Sequence, residues 1–274
     1  MTLPEKIKEV SIYSEIEIGV YPPNGFLQFT EASLGNGDNF GFYWEFGKEN
    51  KEPIICEMIH DEGIIVPRFS NLDKFLEWYK LNDYDWGEEE IEDEKFVFSL
   101  LQKGNESLKE NDPKKAIQFY KESTESFGEL SESWFKLASQ YKRVGNELEF
   151  QKSIINSIIS NWAIDFPSQN AIRMFKNLNP VEELKNHPLI KNRKNLEFNF
   201  GGQKENKDYL VIREIIEELN LNGDINKALI MEQNYALKMY WETSTFQERN
   251  KFKLEEWQKE FKEKTINRLK INIG

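Results

Sequence analysis

The residues best equipped for chemistry are few: His60 beside Asp61 and Glu62, His187 ahead of a proline, and one cysteine, Cys56. A His-Asp-Glu run offers ligand types for a metal ion, but such sites normally draw on a second cluster, and a His-Pro turn at His187 does not supply one. His60 therefore reads as a turn residue. Cys56 lies mid-strand with no histidine near it but His60, the setting of a small buried hydrophobe. Carboxylate pairs are plentiful, yet in so acidic a chain their occurrence says almost nothing about acid-base catalysis. No phosphate-binding loop, dinucleotide fingerprint, nucleophile elbow or zinc-protease motif is present. The expectation is a protein with no enzymatic activity, cofactor or metal, which works by binding.

Charge indicates what it would bind. The 274 residues carry a net charge of -12, and residues 1–95 hold 8 Lys+Arg against 22 Asp+Glu, whereas the remainder is nearly balanced at 28 against 26. The acid concentrates in Asp83, Asp85, Glu88, Glu89, Glu90, Glu92, Asp93 and Glu94. Such a module repels nucleic acid and speeds encounter with a basic protein; the alternative reading of this run is a solvated linker. The aromatic stripe Phe40, Phe42, Trp44 and Phe46 resembles a base-stacking platform only superficially, because stacking platforms for single strands come with basic residues. It reads as core. A single cysteine excludes an internal disulfide and suits a reducing compartment. No segment approaches the ~20 apolar residues of a membrane span. Met1–Val10 carries four charges and no long apolar core, unlike a secretory signal. A cytoplasmic protein with no membrane partner is expected.

The elements that position these residues fall into two kinds. Ile16, Ile18 and Val20 alternate with Glu17 and Gly19 before the turn Pro22-Pro23-Asn24-Gly25, and Phe26, Leu27 and Phe29 follow. After the turn Gly35–Asn39, the stripe from Phe40 to Phe46 shares one strand face, which leaves Gly41, Tyr43 and Glu45 for the other. Pro53–Ile59 is the return strand, and Ile64–Val66 another. Ser70 has the place of a helix N-cap, with Phe75, Leu76, Trp78 and Tyr79 as the apolar face behind it. Strands closed by a helix imply a compact α+β domain.

These residues resemble the second half of a SUKH domain: Gly37-Asp38-Asn39-Phe40-Gly41, then Pro53-Ile54-Ile55 with His60-Asp61-Glu62, then Phe69 to Leu76. Leu3-Pro4 is similar to that family's early Leu-Pro element; the helix usually preceding it and the Gly-Gly that often follows are missing. The resemblance implies a binding role, in bacterial members commonly as an immunity protein that blocks a toxin.

Downstream, Phe96 to about Trp162 repeats at thirty-four residues: Gly104 falls on Ala138, Ser107 on Tyr141, Tyr120 on Ile154 and Ser123 on Ser157. The segment resembles two tetratricopeptide (TPR) units, each a helical hairpin unable to bury its apolar face alone. Trp134 is expected to wedge between the units. Phe150 departs from the alanine of the pattern, so the helices should pack less closely there. In one TPR subclass a Lys and Asn clamp binds acidic chaperone tails; Asn105 matches its first asparagine, but Leu101 and Lys136 break the rest. Short helices follow near Asn179–Leu184 and His187–Ile190, then a loop over Asn195–Lys207. A hairpin around Asn222-Gly223-Asp224 echoes a TPR turn, and a last helix from Ser244, with Leu254, Trp257 and Phe261 on one stripe, either caps the array or meets a partner.

The fold class expected is an α+β domain, its sheet antiparallel or mixed with a capping helix, over residues 1–95. A TPR-like array (96–200) and a helical hairpin with a capping helix (201–274) follow. The expected partner is another protein, a basic toxin or a peptide held in the helical groove, with Asn105 and the acidic run as contact residues.

Overall fold

The computed structural model describes residues 25–28, 38–59, 62–85, 87–201 and 206–269, with side chains through 260 and at 263. The expected Leu3-Pro4 element, the strand at 16–20, most of the two Gly- and Asn-containing turns, the His60-Asp61 turn and the Phe261 side chain lie outside the described residues. A four-stranded antiparallel sheet is followed by a helical region. Two compact units are formed: the described residues up to Phe96 together with those from Lys253 onward, and Val97–Phe252. The C-terminal stretch thus groups with the sheet unit and does not continue the helical unit. Among the described residues, no helix is long and apolar enough to cross a membrane.

In the sheet unit, β1 (Phe26–Gln28), β2 (Asn39–Tyr43), β3 (Ile54–Ile59) and β4 (Ile64–Phe69) pair in sequence order. Leu27, Phe40, Phe42, Trp44, Ile55 and Phe69 form one core with Leu72, Phe75 and Trp78 of α1 (Leu72–Leu81), so the aromatic stripe does face inward. Trp44 lies beyond the strand and fixes its indole by donating to the Lys51 carbonyl at 3.2 Å. The opposite face was expected to meet solvent, and it does not. Tyr43, Cys56, Met58 and Ile65 are all fully buried and Glu45 nearly so. The apolar residues of β3 and β4 on that side make the sheet a two-faced core layer, which a simple inside-outside alternation cannot represent. Gly41 belongs to this face, and a Cβ there would stand 2.3 Å from the Phe26 ring. Glu57, buried in β3, is held by the Arg68 guanidinium, whose Nε donates to it at 2.6 Å.

The helical unit begins with two hairpins, α2 (Val97–Lys109) with α3 (Pro113–Ser126) and α4 (Ser131–Arg143) with α5 (Glu147–Ile159). Their turns repeat in atomic detail at the thirty-four-residue offset. Asn111 and Gly145 both have positive φ, 60° and 75°. The next residues, Asp112 and Asn146, donate backbone N–H to the carbonyls of Ser107 and Tyr141, both at 2.9 Å. The same two residues cap the following helices, Asp112 accepting from Lys115 N–H and Asn146 from Glu149 N–H. This is the Schellman stop, with the residue beyond it serving as the next N-cap.

The same pair of positions is bonded in both hairpins, but in opposite senses: Ser123 Oγ donates to the Val97 carbonyl, whereas thirty-four residues on Ser131 Oγ donates to the Ser157 carbonyl and pairs with its hydroxyl at 2.8 Å. Where α2 crosses α3, a Cβ on Gly104 would meet the buried Tyr120 ring at 2.4 Å. Trp134 is half-buried, and its indole N–H donates to the Gly128 carbonyl at 2.7 Å, bracing the loop that joins the two hairpins.

The unit continues through α6 (Gln169–Lys176), a 3-10 turn (Glu182–Leu184) and α7 (Pro188–Asn192) to a third hairpin, α8 (Asp208–Leu221) with α9 (Ile225–Tyr240). Gly223 has φ 80° and Asp224 N–H reaches the Leu219 carbonyl, the same stop once more. The region after Ser244 holds two helices where one was expected, α10 (Ser244–Arg249) and α11 (Leu254–Leu269). Lys251, at φ 54°, ends the first of them.

Gly104→Val is expected to destabilise the helical unit by about 1 to 3 kcal/mol, although valine forms helix better than glycine, because the branched side chain must displace the Tyr120 ring. A melting temperature unchanged or raised by this substitution would show that the α2–α3 crossing is looser than described.

Candidate binding surfaces

The acidic run is not a free linker. Asp83 has φ 56° and stops α1, with Tyr84 N–H donating to the Tyr79 carbonyl at 2.8 Å and the two rings meeting edge-on. Asn82 then clamps the backbone of Glu89 in both directions, its amide donating to the Glu89 carbonyl and its oxygen accepting from the Glu89 N–H. Ile91 packs against the sheet core. Asp93, placed with the binding carboxylates from sequence, is instead a structural residue, 8% exposed. Its two oxygens accept from Ser70 N–H and Ser70 Oγ, both at 2.7 Å. That bond takes Ser70 out of the capping role expected for it, and Asn71 caps α1 by accepting from Lys74 N–H at 3.0 Å. Asp85, Glu88, Glu89, Glu90, Glu92 and Glu94 are exposed, on a segment pinned at Asn82 and Ser70.

Asn105 commits its side-chain oxygen to the Tyr120 hydroxyl at 2.8 Å, and Lys136 lies 3.8 Å from Glu132 on the same helix. Both positions of the broken clamp thus serve the hairpins themselves.

Sequence reading missed a groove of about 360 Å3 where α4, α5 and α6 meet. Phe150, Met174 and Leu178 supply its apolar lining, and Lys142 and Arg173 its positive charge. The Lys142 amine sits 5.2 Å over the Phe150 ring, a cation–π arrangement. One wall is rigid. The fully buried Gln151 donates to Glu147 and to the Asn179 carbonyl, both at 2.7 Å, and accepts from Val181 N–H at 3.1 Å. Glu147, the carboxylate of the lining, accepts the bond from Gln151 with one oxygen and is itself exposed. The signal was present in the repeat: Phe150 occupies the position of the buried Ala116, and the extra ring forms part of the groove lining.

Two titrating groups of the helical unit act in opposite senses. Burial, reinforced by the Glu132 carboxylate and opposed by the hydrogen bond from Glu132 N–H, pushes the Asp165 carboxyl up to about 6. The His187 imidazole is pushed down to about 4, by burial first and then by Lys227, against a weaker pull from Asp224. His187 caps α7 by accepting from Leu189 N–H through Nδ1, so the ring proton rests on a buried Nε2 that has no partner among the described residues.

The chain resembles known proteins over most of its length. Residues 11–88 match the YfbP N-terminal domain and residues 199–272 the YfbP C-terminal domain. An uncharacterized protein YfbP of Escherichia coli (strain K12) is 36% identical over 249 residues, covering 89% of this chain and 88% of that one. No solved structure matches. The groove residues, from Lys142 to Asn179, fall between the two matched segments.

Asp93→Ala is expected to lower the stability of the sheet unit by roughly 2 to 3 kcal/mol, as for hydrogen bonds to a buried charge, while Gln at Glu88, Glu90 and Glu92 leaves it unchanged. Denaturant titrations of the two variants decide this; equal effects would mean that Asp93 is only one more surface carboxylate. A second expectation concerns pH. The folded pKa of Asp165 lies above its unfolded value, so its desolvation cost disappears and stability rises as pH falls from about 6 towards 4. The folded pKa of His187 lies below its unfolded value, so its contribution is present above about 6.5 and is lost as pH falls towards 4. Relative to the parent chain, Asp165→Asn should therefore melt progressively earlier on acidification and His187→Asn progressively later. Parallel melting curves across that window for both variants would contradict the assignment.

Proposed function

The chain belongs to the YfbP family, and we propose that it is a non-enzymatic, cytoplasmic protein-binding protein whose TPR-like hairpins form an adaptor surface. The observation that carries this reading is the repetition, thirty-four residues apart, of the Asn111 and Gly145 turn geometry with the same carbonyl partners and the same capping positions. Hairpins of that period stack to expose an extended surface, and the binding groove falls where the second hairpin departs from the pattern. A second reading is favoured by the pinned acidic segment. In an immunity-type protein resembling SUKH domains, exposed carboxylates held in place by Asn82 and Ser70 would meet a basic toxin without first paying to order a loop.

Photo-crosslinking distinguishes the two. With a photoreactive residue at Asn177 in the helical unit and, separately, at Glu90 in the acidic segment, the adaptor reading expects a discrete adduct from Asn177 in the source cell. The immunity reading expects one from Glu90, weakened as salt is raised. Adducts from neither position, with the protein folded and abundant, would remove both.

A further inference from the structure

We infer that the groove between α4, α5 and α6 accepts an acidic peptide segment in which an apolar side chain stands between carboxylates. This rests on the adaptor reading and adds to it the chemistry of the partner. The groove lies in the part of the chain whose charges nearly balance, and it brings two cations together beside an apolar lining. Met174, with the edges of Phe150 and Leu178 that stay exposed, offers a shallow apolar seat for one aliphatic side chain in an open groove of about 360 Å3.

Charge selects the flanking residues. Lys142 and Arg173 make no ion pair among the described residues. Glu147 is the one carboxylate of the lining, so cations outnumber anions there two to one, and one of its oxygens accepts from the Gln151 amide at 2.7 Å. Both cations are exposed, so the segment's carboxylates reach them without desolvating either fully, which is the inexpensive form of ion pairing. Arginine offers a planar fork to one carboxylate, whereas the lysine amine, stationed over Phe150, offers a point charge to the other. A basic segment would face a lining with an excess of positive charge, and an uncharged apolar one would gain nothing from that excess. The wall formed by Gln151, Asn179 and Val181 is hydrogen-bonded in place before any ligand arrives.

The site is separate from the clamp position at Asn105 and Lys136, whose side chains are occupied within the hairpins. It therefore depends on neither of them.

The test uses the full chain and a fluorescein-labelled hexapeptide, Asp-Leu-Asp-Glu-Leu-Asp, followed by anisotropy at low salt. Two controls replace the acids by Asn and Gln, or the leucines by Ser. Saturable binding of the first peptide below about 1 mM is expected, with each control at least about tenfold weaker. The double variant Lys142→Gln with Arg173→Gln should weaken the acidic peptide at least tenfold while the chain stays folded, since both side chains are exposed and neither position gains a negative charge at its helix C-terminus. Asn105→Ala should leave peptide binding unaltered, even though loss of its bond to the Tyr120 hydroxyl lowers the melting temperature. Undiminished binding to the double variant, equal binding of the uncharged control, or no saturable binding of the acidic peptide would each overturn the inference. A crosslinked partner at Asn177 that persists in the double variant would also overturn it while leaving the adaptor reading in place.

Discussion

The helical unit depends on one backbone constraint, the left-handed stop at Asn111, Gly145 and Gly223. At each, the chain reverses within a residue or two, the last carbonyls of one helix are satisfied, and the same stretch opens the next helix. Helix ends leave four unpaired groups apiece, so a connection this short is stable only if one set of bonds serves both ends. The consequence is an antiparallel hairpin whose helices touch immediately beyond the turn. Close crossing then demands a small residue, and Gly104 against Tyr120 is the first hairpin's solution. The second hairpin keeps Ala138 at the equivalent crossing but exchanges Ala116 for Phe150, and the groove lies at that exchange.

Stacking one hairpin on the next relies on buried polar contacts as much as on apolar area. Ser123 and Ser133 hydroxyls pair at 2.8 Å between α3 and α4. Beyond α5, Asn161 receives the Gln233 amide at 3.0 Å, and Asn234 both accepts from Trp162 N–H and donates to the Ser160 carbonyl. Each of these groups would be costly if left unpaired, so only the observed register of α5 against α9 satisfies them together. Apolar surfaces alone tolerate sliding; this seam does not. The third hairpin is thereby fixed to the second although its turn lies outside the thirty-four-residue register.

Legibility in the sequence follows from the range of the interaction. The repeat and the inward stripe from Phe40 to Phe46 were readable because each is a local periodicity with a side-chain meaning. The Asp224 turn was readable because Gly-Asp ahead of a helix has few other uses. Asp93 was not, because its partner Ser70 lies twenty-three residues away and its neighbours are the exposed glutamates that gave the run its surface character. The second buried face of the sheet was hidden for the converse reason: Gly41 and Tyr43 alternate correctly with the stripe, and nothing local says that their side is covered too. The groove was half visible. Phe150 marked the place as an irregularity, but its basic lining comes from Lys142 on one helix and Arg173 on another, which only the fold brings together.

The two surfaces also differ in what fixes them. The acidic segment keeps its shape through the Asn82 clamp and the Asp93 anchor, neither of which uses an exposed carboxylate. The charge of Glu88, Glu90 and Glu92 can therefore change without touching either contact, an arrangement that suits the proposed long-range attraction. In the groove, by contrast, Phe150 is at once buried core and part of the lining, so under the proposed peptide-binding role shape and recognition could not vary independently there. A partner of the acidic segment would be sensed chiefly through association rate and screened at ordinary salt, whereas a ligand of the proposed groove site would gain its selectivity on contact, from the coincidence of an apolar lining with two cations. Separating the modes in one chain requires that each rest on its own scaffold, and the division at Phe96 and Lys253 supplies one for each.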